Sequence, residues 1–575
     1  MKVFNFFWNI LDKKQKVLFF VLIFCSIIQT ILEMIGIAAA IPFVTFLLEP
    51  EKLSEINFIS NYIKLDNIIL TDKITLIFCI IFFLIFLLKN LIIIITNKLT
   101  YKFIFNFRVK LFKNLINKIM NQEYVFFIKK GLSQIFNTTI NEVDVFAINI
   151  VKPIIILICE LSISFGILIL IISTGNINGL ILVSPIIIIV ALILRKINQS
   201  IKSWSLTRIN ENEKIIDYNL NLVNGIKEIL VYGKVKTLID QFDYSLKSLR
   251  DIDIKHNLVS TYPKILLEQI VILIFILIIL ILNYFNTPND EIIILLSFYL
   301  VASYRLVPSI NKIFVSYQSI KFGKPSIPKI MEYYNLSTDT FIENEKITNP
   351  LIFEKNLELK NLSFSYKKNI NIIENLNFKI NKNEIIGIFG ESGSGKSTIV
   401  NLLVSLLKPE KGKIILDKKV IENPIELRRY QNLFSISTQD PYLVAGTIKD
   451  NIIFGSKDNF SEKKIFEAIN FAKLDKMIKG LTFGLDTFIG STIKQLSSGQ
   501  KQRISIARTF YSNREILIFD EATNALDEKN EQSIFENLKN LKKIKTIIII
   551  SHNKENLKIC DKVFEFKDKI LKEIF

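Results

Sequence analysis

Gly390-Glu391-Ser392-Gly393-Ser394-Gly395-Lys396-Ser397-Thr398 fits the pattern G-x-x-x-x-G-K-[ST] without a gap. The chemistry of that spacing is a grip on a nucleoside triphosphate. Glycines at 393 and 395 let backbone N–H groups close around phosphate oxygens. Lys396 reaches the β- and γ-phosphates, and the Ser397 hydroxyl is placed for Mg²⁺. A second constellation lies downstream. Ile516-Leu517-Ile518-Phe519 is an apolar run ending in Asp520 and Glu521. Asp520 suits a water-mediated hold on Mg²⁺, and Glu521 suits a general base that polarises an attacking water. His552, one of only two histidines in the chain, directly follows another apolar run, Thr546–Ile550. There it is in range to contact the γ-phosphate. His256 receives no role.

Those residues need a particular scaffold. Ile385–Phe389 reads as a buried strand, and Lys396 to Leu407 reads as a helix whose positive N-terminal end faces the phosphates. Strand, glycine loop and helix in that order are the context a phosphate loop requires. From Phe353 onward, short β-rich runs alternate with helical segments, as in an α/β domain.

The N-terminal part has a different texture. Of the 575 residues 50% are hydrophobic, and the mean hydropathy is +0.36, too apolar for an ordinary soluble enzyme of this size. About 20 apolar residues cross ~30 Å of hydrocarbon. Six stretches meet that need, near residues 17–48, 73–97, 144–173, 179–195, 263–284 and 291–318. Lys98 through Lys130 and Arg195 through Lys236 are long basic segments, whereas Thr174–Asn178 and Tyr284–Glu291 hold no Lys or Arg. The positive-inside rule then puts both basic excursions and both termini in the cytoplasm. Met1–Lys16 reads as an interfacial helix leading into the first span. The expected organisation is a transmembrane domain over 1–325, a linker over 326–352 and a nucleotide-binding domain over 353–575.

The net charge of +18 does not direct the reading to nucleic acid. Lys, Ile and Asn are abundant throughout, a compositional bias, and part of the excess suits anionic lipid headgroups. Cys25, Cys79, Cys159 and Cys560 lack metal-ligand spacing and read as core or lipid-facing thiols.

Leu496-Ser497-Ser498-Gly499-Gln500 is close to the signature run of ATP-binding-cassette (ABC) ATPases. Together with the phosphate loop, it makes the whole chain resemble an ABC exporter half-transporter, with a membrane domain fused ahead of the ATPase. The resemblance implies further roles. Tyr366 matches the aromatic that stacks on adenine, and Gln439 the glutamine that joins Mg²⁺ to the membrane-domain contact. Asn524-Ala525-Leu526-Asp527 matches the loop that communicates across a dimer. Gly446-Thr447-Ile448 through Gly455 matches the exporter pattern. In this family ATP is held between the phosphate loop of one subunit and the signature run, Ser497 to Gln500, of another. One chain holds one of each, so the resemblance implies a homodimer with two complete sites. Ser498 stands where a second glycine is usual, and Ser437-Thr438 precede Gln439 where a proline is common.

Charges also interrupt the spans. Glu33, Lys89, Glu160, Lys264, Glu268, Arg305 and Lys312 border or break apolar runs, and such residues usually face a bundle interior or a wet cavity. Pairing among themselves is the alternative. The strings Ser303–Ser309, Pro263-Lys264 with Leu267-Glu268, and Gly225–Ile229 resemble the flippases of lipid-linked oligosaccharides in bacterial protein N-glycosylation. That subgroup's arginine near span five is Lys264 here, and Glu51–Ile69 matches its short external helix. The resemblance implies a polyprenyl-pyrophosphate glycan as substrate, held by Lys89, Lys264, Arg305 and Lys312, and a place in the bacterial inner membrane. Exporters of peptides, drugs or simple lipids and an ATP-gated channel are the alternative functions.

Overall fold

The computed structural model describes residues 2–39, 72–173, 178–284, 289–337, 351–367, 370–391, 393–454, 461–489 and 496–574. Ser392 and the expected external helix at 51–69 lie outside them. The chain divides into two compact units, one of residues 1–120 and 130–336, the other of 121–129 and 337–575.

The first unit is helical. Long helices cover Lys13–Ala38, Asp72–Met120, Asn178–Asn224, Val235–Tyr284 and Asn289–Gly323. A sixth helical segment runs from Leu132 to Ser173, with π-helical stretches at Asn137–Glu142 and Ala147–Val151. Each overlies one of the expected apolar stretches. Among the described residues, four helices are long and apolar enough to cross a membrane: Lys13–Ala38, Cys79–Met120, Leu132–Ile172 and Val235–Leu280. The basic excursions continue the same helices. Asp72–Met120, with 49 residues, spans about 74 Å at 1.5 Å per residue, well over twice the hydrocarbon thickness.

The first of these helices carries a buried polar stripe. Ser26, Gln29, Thr30 and Glu33 all face inward at helical spacing. Small residues let neighbours approach: a Cβ on Gly166 would meet Thr30 Cγ2 at 2.7 Å. The N-terminal segment is not a single interfacial helix. Lys2–Ile10 forms one helix, the chain turns at Leu11-Asp12, and Lys13 starts the next. Phe7 is fully buried beside Phe19, Phe103 and Phe107, so aromatic packing, not a lipid surface, covers this face. The expected linker also differs. Ser326–Tyr334 is a helix whose Ile327, Ile330 and Tyr333 are buried with the helical unit. Its apolar period is too short for a sequence window to register.

The second unit is built on strands. β1 (Asn356–Lys367), β2 (Ile370–Asn381), β3 (Ile385–Phe389), β4 (Lys411–Leu416) and β5 (Lys419–Val420) come first. β6 (Phe434–Ser437), β7 (Gly446–Thr447), β8 (Phe488–Ile489), β9 (Ile516–Asp520), β10 (Thr546–Ser551), β11 (Lys562–Lys567) and β12 (Ile570–Glu573) follow. β2-β1-β4-β5 is an antiparallel sheet, and β12-β11-β3-β10-β9-β6 is the main sheet, parallel except at β12. Ile385, Ile386, Ile388, Ile516–Phe519 and Ile547–Ile550 are buried on both faces, as central parallel strands require. Because β3, β9 and β10 run parallel, the segments that follow them leave the sheet at one end. That carboxyl end is where open α/β sheets bind ligands.

Candidate functional site

Strand register brings the first residues of the site together. Ser551 pairs with Phe389, and Ile550 pairs with Asp520, so the phosphate loop, Glu521 and His552 start from adjacent strand ends. Gly393 and Gly395 have φ of +80° and +115°, conformations that side-chain-bearing residues rarely adopt. A Cβ on Gly390 would meet the Phe566 carbonyl at 2.9 Å. The helix that follows covers Lys396–Leu403. It ends short of the expected Leu407, because the chain turns and Ser405 takes φ of +56°.

Lys396 is buried, and its Nζ donates to the carbonyls of Gly390 (2.7 Å) and Glu391 (2.8 Å). It also lies 3.6 Å from Glu521 Oε1. Glu521 takes φ of +50°, a left-handed conformation costing a non-glycine residue about 1–2 kcal/mol. Its N–H donates to the Ile550 carbonyl, and its Oε2 accepts from Asn524 Nδ2 at 3.0 Å. These bonds aim the carboxylate away from the strand, with His552 Nδ1 3.9 Å from Oε1. Burial pushes the Asp520 carboxyl above the ordinary range. Neighbouring Glu521 adds to the rise, while Lys396 and a hydrogen bond from Ser397 oppose it. A bound divalent cation would supply the missing positive charge beside these carboxylates. The residues present fit that ion: an exposed Ser397 hydroxyl and two carboxylates at one strand end. Tyr366 packs edge-on against Phe364, and its hydroxyl is 3.5 Å from Thr398 Oγ1, at the rim of the phosphate loop. Glu391 and Ser394 complete the loop through the Ser394 N–H, which donates to the Glu391 carbonyl.

The signature run opens the helix Ser498–Tyr511. Ser497 is its N-cap: its Oγ accepts from Gln500 N, and Gln500 Oε1 accepts from Ser497 N. Ser498 is exposed at the first turn, so its hydroxymethyl crowds nothing within the chain. Gly499 is different. A Cβ there would meet the Ala525 carbonyl at 2.6 Å, so only glycine lets the Asn524–Asp527 loop sit against this helix. Asp527 caps the next helix, Glu528–Asn540. Its hydrogen bonds from Asn530 hold the carboxyl below the usual range.

Gln502 has a part that the sequence did not disclose. Its Nε2 donates to the Gln439 carbonyl at 3.2 Å, and its Oε1 accepts from Ala525 N at 3.0 Å. One buried amide thus ties the Gln439 segment to the Asn524–Asp527 loop. The signal was its place three residues after Gly499, on the helix's inner face. Gln439 itself is exposed.

The helical unit holds the remaining candidates. Arg305 Nε lies 2.8 Å from Glu33 Oε1, and its terminal nitrogen is 3.8 Å from Glu160 Oε2. Lys89 Nζ is 3.4 Å from Glu33, and Lys312 Nζ is 2.6 Å from Glu160. Ser309 Oγ donates to Glu160 Oε2 at 2.5 Å. Lys89, Arg305 and Lys312 therefore join one ion-pair cluster. Lys264 does not: it lies 3.8 Å from Glu268 on its own helix, with both side chains more than half exposed.

Residues 373–524 match the family model described as ABC transporter. The chain is 40% identical over 215 residues to the ATP-dependent permease MDL1 of Candida albicans, covering 36% of this chain and 31% of that protein. It is 35% identical over 213 residues to an ATP-dependent lipid A-core flippase of Photobacterium profundum, covering 37% and 36%. These alignments span less than half of either relative. The fold extends further. A bacterial Atm1-family ABC exporter, solved with ATP bound, superposes over 98% of this chain and 94% of its own, with a TM-score of 0.76 at 20% identity. The chain has the ABC exporter fold, with an ABC ATPase domain at its C-terminal end.

Proposed function

We propose that this chain is one half of an ATP-driven exporter that moves a lipid across the bacterial inner membrane, with both termini and the ATPase domain cytoplasmic. The observation that carries the reading is the strand-end assembly of Lys396, Asp520, Glu521 and His552. Lys396 Nζ hydrogen-bonds two neutral carbonyls, and its carboxylate neighbour Glu521 lies farther off at 3.6 Å, so its charge is available to the β- and γ-phosphates of ATP. Mg²⁺ would be held by Ser397, Asp520 and Gln439, and would neutralise charge on the transferring phosphoryl group. Glu521 orients and deprotonates the attacking water, and His552 steadies it. Tyr366 stacks on the base.

Two copies act together. Ser497, Ser498, Gly499 and Gln500 of one copy close over the nucleotide held by the other, and Asp527 with its loop connects the two sites. Glu521 and His552 are both present, so a homodimer has two competent sites. Closed two-fold symmetry is also the commonest assembly.

The substrate we infer is a polyprenyl-pyrophosphate-linked oligosaccharide. The ion-pair cluster supports it: three cations meet two carboxylates among the described residues, leaving positive charge for an anionic head. Lys89, Arg305 and Lys312 form that surface. A second reading, export of a simpler lipid, draws support from the relative named as a lipid A-core flippase. Purified protein in proteoliposomes discriminates them. ATP-dependent movement of a fluorescent polyprenyl-pyrophosphate glycan, absent in Glu521→Gln, is the expected result. Movement of lipid A or phospholipid alone would favour the second reading, and ATP hydrolysis with no lipid movement would defeat both.

A further inference from the structure

Arg305 and Lys312, two of the three cations of the cluster, already have a counter-ion. Glu160 occupies them. It lies between Arg305, at 3.8 Å, and Lys312, at 2.6 Å, and accepts a hydrogen bond from Ser309 at 2.5 Å. Arg305, Ser309 and Lys312 recur at positions i, i+4 and i+7 of one helix and so share a face. The ends of the cluster differ. Glu33, Lys89 and Arg305 are enclosed, with side-chain exposures of 5%, 14% and 16%. Lys312 is 51% exposed although its carboxylate partner is 6% exposed. An incoming ligand therefore meets the cluster at Lys312 and reaches Glu160 through it. Pro308 lies inside this turn and removes one backbone hydrogen bond next to Ser309, which eases local rearrangement.

Charge arithmetic then limits the ligand. Among the described residues, three cations, Lys89, Arg305 and Lys312, face two carboxylates, Glu33 and Glu160, an excess of one positive charge. A dianionic head added to the intact cluster would make it net negative. If Glu160 takes a proton from water at the Lys312 end, three positive charges face Glu33 and a dianion, and the cluster is neutral. A monoanion is balanced without that proton and leaves Glu160 in place, competing for the same two cations.

Building on the lipid-pyrophosphate reading, we propose that Glu160 is a specificity-determining positioning residue. It is the resident counter-ion of Arg305 and Lys312, and a dianionic pyrophosphate diester replaces it with uptake of one proton. Among the described residues, Glu33 on the first long helix joins Glu160 through Arg305, and Lys89 on the second joins through Glu33. Cys159 neighbours Glu160, and Arg305 and Lys312 face it from Asn289–Gly323.

The test uses the full-length protein in lipid nanodiscs and two probes with the same sugar and tail, a polyprenyl-pyrophosphate sugar and a polyprenyl-phosphate sugar. Both probes are diesters whose charge is constant from pH 6.5 to 8. The parent should bind the pyrophosphate probe about tenfold more tightly for each unit of falling pH, the slope of one linked proton. It should bind the monophosphate probe with no such slope. Glu160→Gln should abolish the slope and narrow the preference between probes. Should that variant fail to fold, calorimetry of the unmodified protein in two buffers of different ionisation enthalpy reads proton uptake directly. Pyrophosphate binding with no proton uptake, or a slope that persists in Glu160→Gln, overturns the role of Glu160 and leaves the substrate reading intact. No binding of either probe by the parent overturns the substrate reading and this inference with it.

Discussion

Lys396 and Arg305 are both largely buried cations, and they are held in opposite ways. Lys396 rests on two backbone carbonyls, at 2.7 and 2.8 Å, with the nearest carboxylate oxygen at 3.6 Å. Arg305 rests on the Glu33 carboxylate at 2.8 Å, with Glu160 at 3.8 Å. Carbonyl dipoles fix the position of a cation without cancelling its charge. Carboxylates fix the position and cancel the charge as well. A phosphate joining Lys396 therefore meets a resident carboxylate at 3.6 Å, whereas one joining Arg305 must compete with a carboxylate at 2.8 Å. The contrast suits the two proposed sites, one for nucleotide that binds readily and one for lipid that selects by charge.

The largest expected effect tests the nucleotide side. Glu521→Gln should lower steady-state ATP hydrolysis by about 10²–10⁴, the usual contribution of a general base, and nucleotide should remain bound. Near-normal turnover in the purified protein would remove Glu521 from the reaction.

Arg305→Ala addresses the other side of the contrast. It leaves Glu33 and Glu160 each short of a partner, and breaking a buried pair costs about 3–5 kcal/mol. Thermal unfolding in detergent should show that loss, and Arg305→Ala with Glu33→Gln should recover part of it. An Arg305→Ala protein as stable as the parent would mean that the carboxylates do not compensate Arg305, and the comparison with Lys396 would collapse.

Lys396→Ala is expected to have a smaller effect, on affinity. Hydrogen bonds to charged groups contribute about 1.5–3 kcal/mol, so equilibrium nucleotide binding should weaken roughly ten- to 150-fold. Its stability should change less than that of Arg305→Ala, since two of the groups left behind are neutral carbonyls and the Glu521 oxygen lies at 3.6 Å, against 2.8 Å between Arg305 and Glu33. Equal destabilisation of the two variants would erase the distinction.

Ser498→Gly should do least. The side chain is exposed, and Ser497 and Gln500 already complete the helix cap. Hydrolysis should stay within about tenfold of the parent, ~1.4 kcal/mol in barrier terms. A larger drop would assign Ser498 a contact to the nucleotide across the dimer.

The amino-acid sequence by itself located the candidate nucleotide site, down to Gly393, Gly395, Lys396, Asp520 and Glu521, because those residues sit on short backbone motifs. A glycine loop between strand and helix and a carboxylate at a strand end are local structures, and short-range spacing encodes them. It also determined the long apolar helices, which need only composition. Tertiary structure alone decided three further matters. The reach of Gln502 from Gln439 to Ala525 depends on which face of its helix turns inward. The requirement for glycine at 499 depends on where the Asn524–Asp527 loop lies. The fate of the membrane charges depends on helix rotation: Lys89, Arg305 and Lys312 meet Glu33 and Glu160, and Lys264 turns outward to Glu268. A charge within an apolar run announces that it must be paired, but the partner is 56 to 152 residues away in the chain for Lys89–Glu33 and Lys312–Glu160. No local pattern encodes a contact of that separation, since it arises only when separate helices pack.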